Sequence, residues 1–208
     1  MLLKKFTKYL FPLLLVCLTG CAAVGVVATS NPATKLNDAA DLLFRQDRPL
    51  PAERLIFEAI QIYQADGDNQ GLGWAYRSYA ELLSSNAIVS GKESKLYREG
   101  NFRDKSITFN NRLEKANEYY LMAIEHFKKA EAPLIKEDKY DALTNIYFNI
   151  ATSYINLKNK NKGCVYFDKA LGAYSENIKR HPTATPYSPI GTVPQRIASL
   201  KENAGCPS

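Results

Sequence analysis

The side chains with the greatest capacity for chemistry are four cysteines and two histidines. A cysteine thiolate is a nucleophile and a metal ligand, and a neutral histidine can transfer protons or bind a metal. His126 and His181 stand far apart in the chain, and no two cysteines occur in a CxxC pair. Because a zinc site needs more ligands than these can supply, we expect no metal site. The remaining chemistry expected of the cysteines is disulfide formation or covalent modification.

The sequence carries none of the common catalytic patterns. It has no GxSxG serine, no HExxH pair and no glycine-rich loop that ends in Gly-Lys-Ser or Gly-Lys-Thr. Gly67, Gly71 and Gly73 lie between two predicted helices with no strand before them, which argues against a phosphate-binding loop. His126, beside Glu125 on a helix, has the surroundings of a surface histidine. We therefore expect a protein that is not an enzyme and holds no cofactor.

The charge of the chain gives no reason to expect nucleic acid as a partner. The sequence has 27 basic and 21 acidic residues, and three of the basic ones lie within residues 1–20, which contain no acid. The remaining 24 basic and 21 acidic residues give a net charge of +3. No basic run with interleaved aromatic residues occurs, so the electrostatic signature of nucleic-acid binding is missing.

Cys21 follows a short apolar stretch behind a basic N-terminus. Lys4, Lys5 and Lys8 precede the apolar residues 9–18, which are too few to cross a bilayer, since a spanning helix takes about 20 apolar residues. With this stretch, Leu18-Thr19-Gly20-Cys21 resembles the lipobox of bacterial lipoproteins. The resemblance implies a signal peptide at residues 1–20, cleavage before Cys21, and a Cys21 that carries acyl chains such as palmitate.

The resemblance also implies a location in the cell envelope. In Gram-negative lipoproteins an Asp after the lipidated Cys commonly retains the protein in the inner membrane, and here the residue is Ala22. We therefore expect a lipid anchor in the outer membrane, with the protein facing the periplasm. Several acyl chains hold a protein durably. The alternative is a transmembrane anchor over residues 9–28, because weak apolar character continues to Ala28.

Two cysteines, Cys164 and Cys206, remain if Cys17 is removed with the signal peptide and Cys21 is lipidated. In an exported protein a remaining pair of cysteines favours a disulfide over two free thiols. We expect a Cys164–Cys206 bond, with free thiols as the alternative.

The rest of the chain has helical periodicity throughout and no sustained alternation of apolar and polar residues. Asn31-Pro32 is typical of a helix start, Gly67 of a helix end, and Asp138 of a helix N-cap. Six helices are expected between residues 32 and 181, and a short helix around Gln195 to Asn203. The prediction is an all-α protein.

Three pairs of helices share one spacing of large and small residues. The first pair places Leu36, Ala39, Ala40, Leu43, Ala52, Ile56 and Ala59 at the same offsets as Tyr147, Ile150, Ala151, Tyr154, Gly163, Phe167 and Ala170 in the last pair. The middle pair matches with Tyr76, Tyr79, Ala80 and Leu83, and then, after 24 extra residues, with Ala116, Tyr120 and Ala123. This spacing resembles the tetratricopeptide repeat (TPR), a helix-turn-helix of about 34 residues. The resemblance implies a right-handed stack of about three antiparallel helix pairs over residues 32–181; a generic helical bundle is the alternative.

The resemblance also implies a groove that binds a partner protein. In TPR arrays the first helix of each pair lines the inner groove, and Trp and Arg are frequent anchors of interfaces. Carried onto this chain, the groove residues are Asn37, Phe44, Trp74, Arg77, Asn145, Phe148 and Thr152. The alternative for Trp74 is a purely structural role in the seam between the first two pairs.

Two segments depart from the repeat. Residues 86–112 interrupt the middle pair with six basic and three acidic residues. They are either a functional or mobile insertion, or else a solvated loop or a simple extension of the flanking helices. The tail, residues 182–208, is rich in proline before its short helix, and we expect the disulfide to fasten it across the last pair as a cap.

Together these patterns predict a membrane-anchored periplasmic lipoprotein that binds another protein and has no catalytic activity. Residues 21–31 would be a tether between the lipid and the helical domain. One role is an adaptor in a secretion, pilus or outer-membrane assembly machine. The alternative is an immunity lipoprotein that neutralises a secreted toxic effector, for example one delivered by type VI secretion.

Overall fold

A computed structural model describes residues 31–182 and 192–207 of the chain. The predicted signal peptide (1–20), the tether as far as residue 30 and the proline-rich residues 183–191 lie outside the described residues. The predicted lipidation of Cys21 therefore has no structural counterpart here.

The described residues are all-α, as the sequence predicts, and contain no strand. Their helices are α1 (Pro32–Phe44), α2 (Pro49–Asp66), α3 (Asn69–Ser84), α4 (Asn86–Ser90), α5 (Ser94–Arg98), α6 (Arg112–Lys136), α7 (Tyr140–Asn156), α8 (Lys160–Arg180) and α9 (Val193–Ala204). Among these residues, no helix combines the length and the apolar character that crossing a bilayer requires.

The helices pack in successive pairs, in the way that a repeat-like stack requires. The most extensive contacts join α1 to α2, α3 to α6, and α7 to α8. Smaller contacts join neighbouring pairs through α2–α3 and α6–α7, and the first helices touch through α1–α3 and α3–α7. The insertion thus separates α3 from α6 in sequence but leaves them partners in space.

Small residues at the crossings allow the helices to approach closely. The predicted positions Ala52, Ala59, Ala80, Ala123, Ala151 and Ala170 are all fully buried. Two glycines of α3 show this: an added Cβ at Gly73 would lie 2.5 Å from the Phe127 ring of α6, and one at Gly71 would overlap the Tyr63 ring of α2. The glycines ahead of Trp74 therefore serve helix packing.

The helix ends follow the sequence signals with one exception. The Asn31 side chain accepts hydrogen bonds from the N–H groups of Ala33 and Thr34, and Gly67 ends α2 in the left-handed conformation. The prediction that Asp138 caps the next helix is wrong, because α7 begins after Lys139 and Asp138 itself has a φ of 58°. Its carboxylate lies 2.7 Å from Arg180 Nη1 instead, so it joins the turn to the end of α8.

The insertion is a folded part of the domain. Ile88, Tyr97 and Phe102 have no solvent exposure. Two hydrogen bonds join the insertion to the start of α2 and the turn before it. The Lys92 backbone N–H donates to the Asp47 carboxylate, and the Leu50 backbone N–H donates to the Glu93 carboxylate. Residues 86–112 are therefore neither a solvated loop nor a simple extension of α3 and α6, because their large apolar side chains complete the core.

The C-terminal helix is fastened to the last pair at several points. Cys164 in α8 and Cys206 form the predicted disulfide, with their Cα atoms 5.6 Å apart. Ile197 of α9 is fully buried, and Lys201 Nζ lies 2.6 Å from Asp168 Oδ1. Thr192 and Gln195 form a capping box at the start of α9. The predicted short helix is confirmed, and it packs against α8 at the end of the stack.

Candidate protein-binding cleft

The first helices of the first two pairs, α1 and α3, enclose a cleft of about 430 Å³. One wall comes from α1 and the other from α3, at residues one helical turn apart on each. Its lining is Ala33, Leu36, Asn37, Ala40, Trp74, Arg77, Ser78 and Glu81. Three of the seven predicted groove residues, Asn37, Trp74 and Arg77, are thus brought together.

The cleft combines an aromatic wall with polar side chains that have no hydrogen-bond partner in the described part of the chain. Trp74 is half-buried and Asn37 is exposed. Within residues 31–182 and 192–207, neither the Trp74 indole N–H nor the Asn37 side-chain amide makes a hydrogen bond. These donor and acceptor groups are therefore available to a ligand that enters the cleft.

Arg77 and Glu81 form the charged end of the cleft. Arg77 Nη2 lies 2.6 Å from Glu81 Oε1, one turn further along α3. Burial raises the pKa of Glu81, and the neighbouring Arg77 opposes that rise. Arg77 Nε is buried with no hydrogen-bond partner in the described structure. A buried donor without an acceptor costs about 1–3 kcal/mol, so Arg77 is held in a position that is incompletely satisfied.

The other four predicted groove residues do not line this cleft. Phe44 is 65% exposed near the end of α1, and Asn145 is exposed on α7. The Thr152 hydroxyl donates to the Asn149 carbonyl. Phe148 packs against Phe167 and lies beneath the Arg196 guanidinium of α9, 5.0 Å from the ring centroid.

Phe148 thus does not line the α1–α3 cleft with Trp74 and Arg77. Its ring is covered instead by a cation from α9. Sequence periodicity places Phe148 on the inner side of α7 but gives no sign that a distant helix reaches it.

A wider cleft of about 640 Å³ lies beside the insertion, lined in part by Phe57, Phe102 and Arg103. Its deepest polar residue, Glu53, is fully occupied: the carboxylate accepts hydrogen bonds from Tyr79 (2.9 Å), Tyr97 (3.2 Å) and the Arg103 N–H (2.8 Å). Burial raises the pKa of Glu53, and these donors only partly counteract it. Glu53 therefore holds the insertion in place, which makes it a structural residue.

Sequence reasoning missed Glu53 because a lone glutamate among apolar helix positions resembles any solubilising charge. The three donors come from α3 and the insertion, at separations of 26 to 50 residues. The one available signal is its place next to Ala52, within the apolar stripe of α2.

The residues described contain no group of three or more His, Cys, Asp or Glu arranged to hold a metal ion. Searches against protein-family models, curated proteins and solved structures find no match to this chain. The fold and the cleft define the class: an all-α protein of stacked helix pairs with an open cleft between first helices. Any function beyond that class is inferred from the residues themselves.

Proposed function

We propose that this protein is a membrane-anchored periplasmic lipoprotein that binds another protein through the α1–α3 cleft, as a non-catalytic TPR-like adaptor in an envelope secretion, pilus or assembly machine. The proposal combines the lipobox-like sequence at Cys21 with the cleft. The observation that carries it is the convergence of Asn37, Trp74 and Arg77 on one concave site.

Three properties of the cleft support protein binding. The half-buried indole supplies a large, rigid contact area of the type that dominates interface energies. The free Asn37 amide and Trp74 N–H can pair with the backbone of a bound segment. Arg77, whose Nε has no acceptor among the described residues, can gain one from a partner carbonyl or carboxylate when the side chain turns outward.

The cleft is tested by replacing Trp74 with alanine. Truncation of an anchor residue costs at least about 2 kcal/mol of binding free energy. Trp74→Ala is therefore expected to lower the affinity for a purified partner about thirtyfold or more. The partner is identified first, with a photo-cross-linker placed at Asn37. An envelope-machine component in the cross-link supports the adaptor role, and a secreted toxin supports the immunity role.

The matched control is Leu96→Ala, which shortens an exposed side chain of the insertion. It should leave the affinity within about twofold, because Leu96 lies outside the cleft. Thermal unfolding by circular dichroism accompanies both variants. A large fall in melting temperature for Trp74→Ala with unchanged affinity would mean that Trp74 is a core residue. The proposed binding site would then move to the insertion between Lys92 and Arg103.

The anchor is tested separately by Cys21→Ser. Loss of the thiol prevents lipidation, so the protein is expected to move from the membrane fraction to the soluble periplasmic fraction. Metabolic labelling with a fatty acid should mark the natural chain and not the variant. A Cys21→Ser protein that stays with membranes after a high-salt wash would contradict the lipoprotein assignment and favour a span over residues 9–28.

A further inference from the structure

A cluster of lysines and tyrosines lies where α6, α7 and α8 meet, and it shares no residue with the α1–α3 cleft. We call it the lysine–tyrosine patch; it comprises Lys128, Lys162, Lys169, Tyr147, Tyr154 and Tyr166. Lys128 belongs to α6, Tyr147 and Tyr154 to α7, and the other three to α8.

The three ammonium groups are arranged over tyrosine rings. Lys169 Nζ lies 4.9 Å from the ring centroid of Tyr166 and 5.3 Å from that of Tyr147. Lys162 Nζ lies 5.4 Å from the Tyr154 centroid, and Lys128 Nζ lies 3.3 Å from the Tyr154 hydroxyl. The rings of Tyr154 and Tyr166 are 5.6 Å apart. Since cations within about 6 Å of a ring are attracted to its face, the rings hold the lysines in position.

In the described structure the lysines of the patch are not paired with acids, although one carboxylate, that of Glu131, touches a patch tyrosine. None of the three lysines forms an ion pair with a carboxylate among the residues described. The nearest acid to the rings, Glu131, accepts a hydrogen bond from the Tyr147 hydroxyl at 2.6 Å. Partial burial lowers the pKa of Lys128, but the Tyr154 and Tyr166 hydroxyls outweigh it, and the pKa lies above its usual value. Lys128 therefore stays charged.

An exposed apolar residue lies within the same face. Lys162, Val165, Tyr166 and Lys169 follow the i, i+3, i+4, i+7 spacing that brings residues to one side of a helix. Val165 is 55% exposed, so it stands between the lysines of α8. The face thus offers positive charges around an apolar centre.

We propose that the lysine–tyrosine patch is a second interaction surface, and that it binds an acidic protein segment whose carboxylates surround an apolar side chain. The charges are complementary, and the apolar side chain would cover Val165. The ring contacts already restrict the lysines, which lowers the entropy lost on binding. The proposal stands apart from the proposed function, since it uses other residues.

A phospholipid surface fits the patch less well. Faces that lie on membranes carry exposed apolar and aromatic side chains that enter the headgroup region. Here the rings of Tyr147 and Tyr154 are buried beneath the ammonium groups. They support the cations and have no free surface to insert.

The test uses the chain from residue 21 onward with Cys21→Ser and two labelled helical peptides. The first peptide carries three glutamates around one leucine, and the second has glutamines in their place. We expect the glutamate peptide alone to bind by fluorescence anisotropy, with an affinity that falls as salt is added. The triple variant Lys128→Gln, Lys162→Gln, Lys169→Gln should weaken it at least about tenfold, and Val165→Ser should weaken it to a smaller degree.

The control triple is Lys92→Gln, Lys136→Gln, Lys158→Gln, which removes the same charge from exposed lysines elsewhere. It should keep the affinity within about twofold, and Trp74→Ala should also leave the peptide bound. If the patch triple fails to fold by circular dichroism, Lys169→Gln alone replaces it, since this lysine faces two rings. Equal weakening by both triples, or no binding of the glutamate peptide, overturns the proposal. Binding of the natural chain to phosphatidylglycerol vesicles but not to the peptide overturns it in favour of a membrane surface.

Discussion

At the scale of single residues, the buried carboxylate of Glu53 has three specific hydrogen-bond partners. It is 1% exposed and accepts from two tyrosine hydroxyls and one backbone N–H. The pKa values of Tyr79 and Tyr97 are raised by burial and by this neighbouring carboxylate, so both phenols remain protonated donors. One side chain of α2 thereby joins α3 to the insertion.

Replacing Glu53 with glutamine should destabilise the domain and loosen the insertion. The natural carboxylate has two acceptor oxygens for its three donors, whereas glutamine has one. The NH₂ group of glutamine would face a donor that the second carboxylate oxygen accepts in the natural protein. Each buried donor left unsatisfied costs about 1–3 kcal/mol. We expect a lower free energy of unfolding in urea and faster proteolytic cleavage between residues 91 and 106.

The control is Glu202→Gln, an exposed position on α9. A surface change of this kind should alter the stability by no more than about 0.5 kcal/mol. If Glu53→Gln matches this control in both stability and protease resistance, the insertion is held by its apolar side chains alone.

At the scale of elements, α3 is the helix on which the site depends, because it packs on α6 and presents Trp74 to α1. Gly73, the residue before Trp74, has no side chain to separate α3 from Phe127. Phe127 itself is fully buried. The cleft wall and the core contact are therefore adjacent residues of one helix, facing different neighbours.

Gly73→Ala should destabilise the protein although alanine is the better helix former. The gain in helix propensity is about 1 kcal/mol, whereas forcing a methyl group against a closely packed ring costs about 1–3 kcal/mol. Gly172→Ala in α8 is the matched control, since nothing lies within 4 Å of an added Cβ there. Thermal unfolding should show a lower melting temperature for Gly73→Ala and an equal or higher one for Gly172→Ala. A stabilised Gly73→Ala protein would mean that α3 and α6 can move apart freely.

At the scale of the whole molecule, the disulfide and α9 close the last helix pair. The bond joins residues 42 positions apart, and α9 adds a buried Ile197 and the Lys201–Asp168 ion pair. Its Arg196 also lies over Phe148. Helix α9 thus covers an aromatic ring of α7.

Reduction of the Cys164–Cys206 bond should lower the free energy of unfolding by about 4 kcal/mol, the loop-closure value for this separation. Amide hydrogen exchange should increase first in α9. The double variant Cys164→Ser, Cys206→Ser serves as the control, because its stability should not respond to reductant. Full alkylation of both thiols without reductant, in the protein isolated from cells, would show that the bond does not form in the cell.

The sequence by itself predicts the long helices, most of their ends, the short α9 and the disulfide, but not α4 and α5 of the insertion. The correct predictions follow from local chemistry: the 3.6-residue period, the caps at Asn31 and Gly67, and the two cysteines that remain beyond the lipobox-like segment. It also predicts the small residues at the crossings, because repeated spacing shows which positions face each other. Asn37, Trp74 and Arg77 could be selected for the cleft because this spacing resembles the tetratricopeptide repeat, whose first helices line a groove.

Only the tertiary structure decides how segments distant in sequence meet. It places Tyr97 and Phe102 of the insertion in the core, sets Arg196 over Phe148, and gathers three lysines around tyrosine rings. It also moves Asp138 from a helix cap to an ion pair with Arg180. No local pattern encodes these contacts, because each depends on the relative positions of helices that are distant in sequence. Those positions are set by the burial of apolar side chains from many helices together.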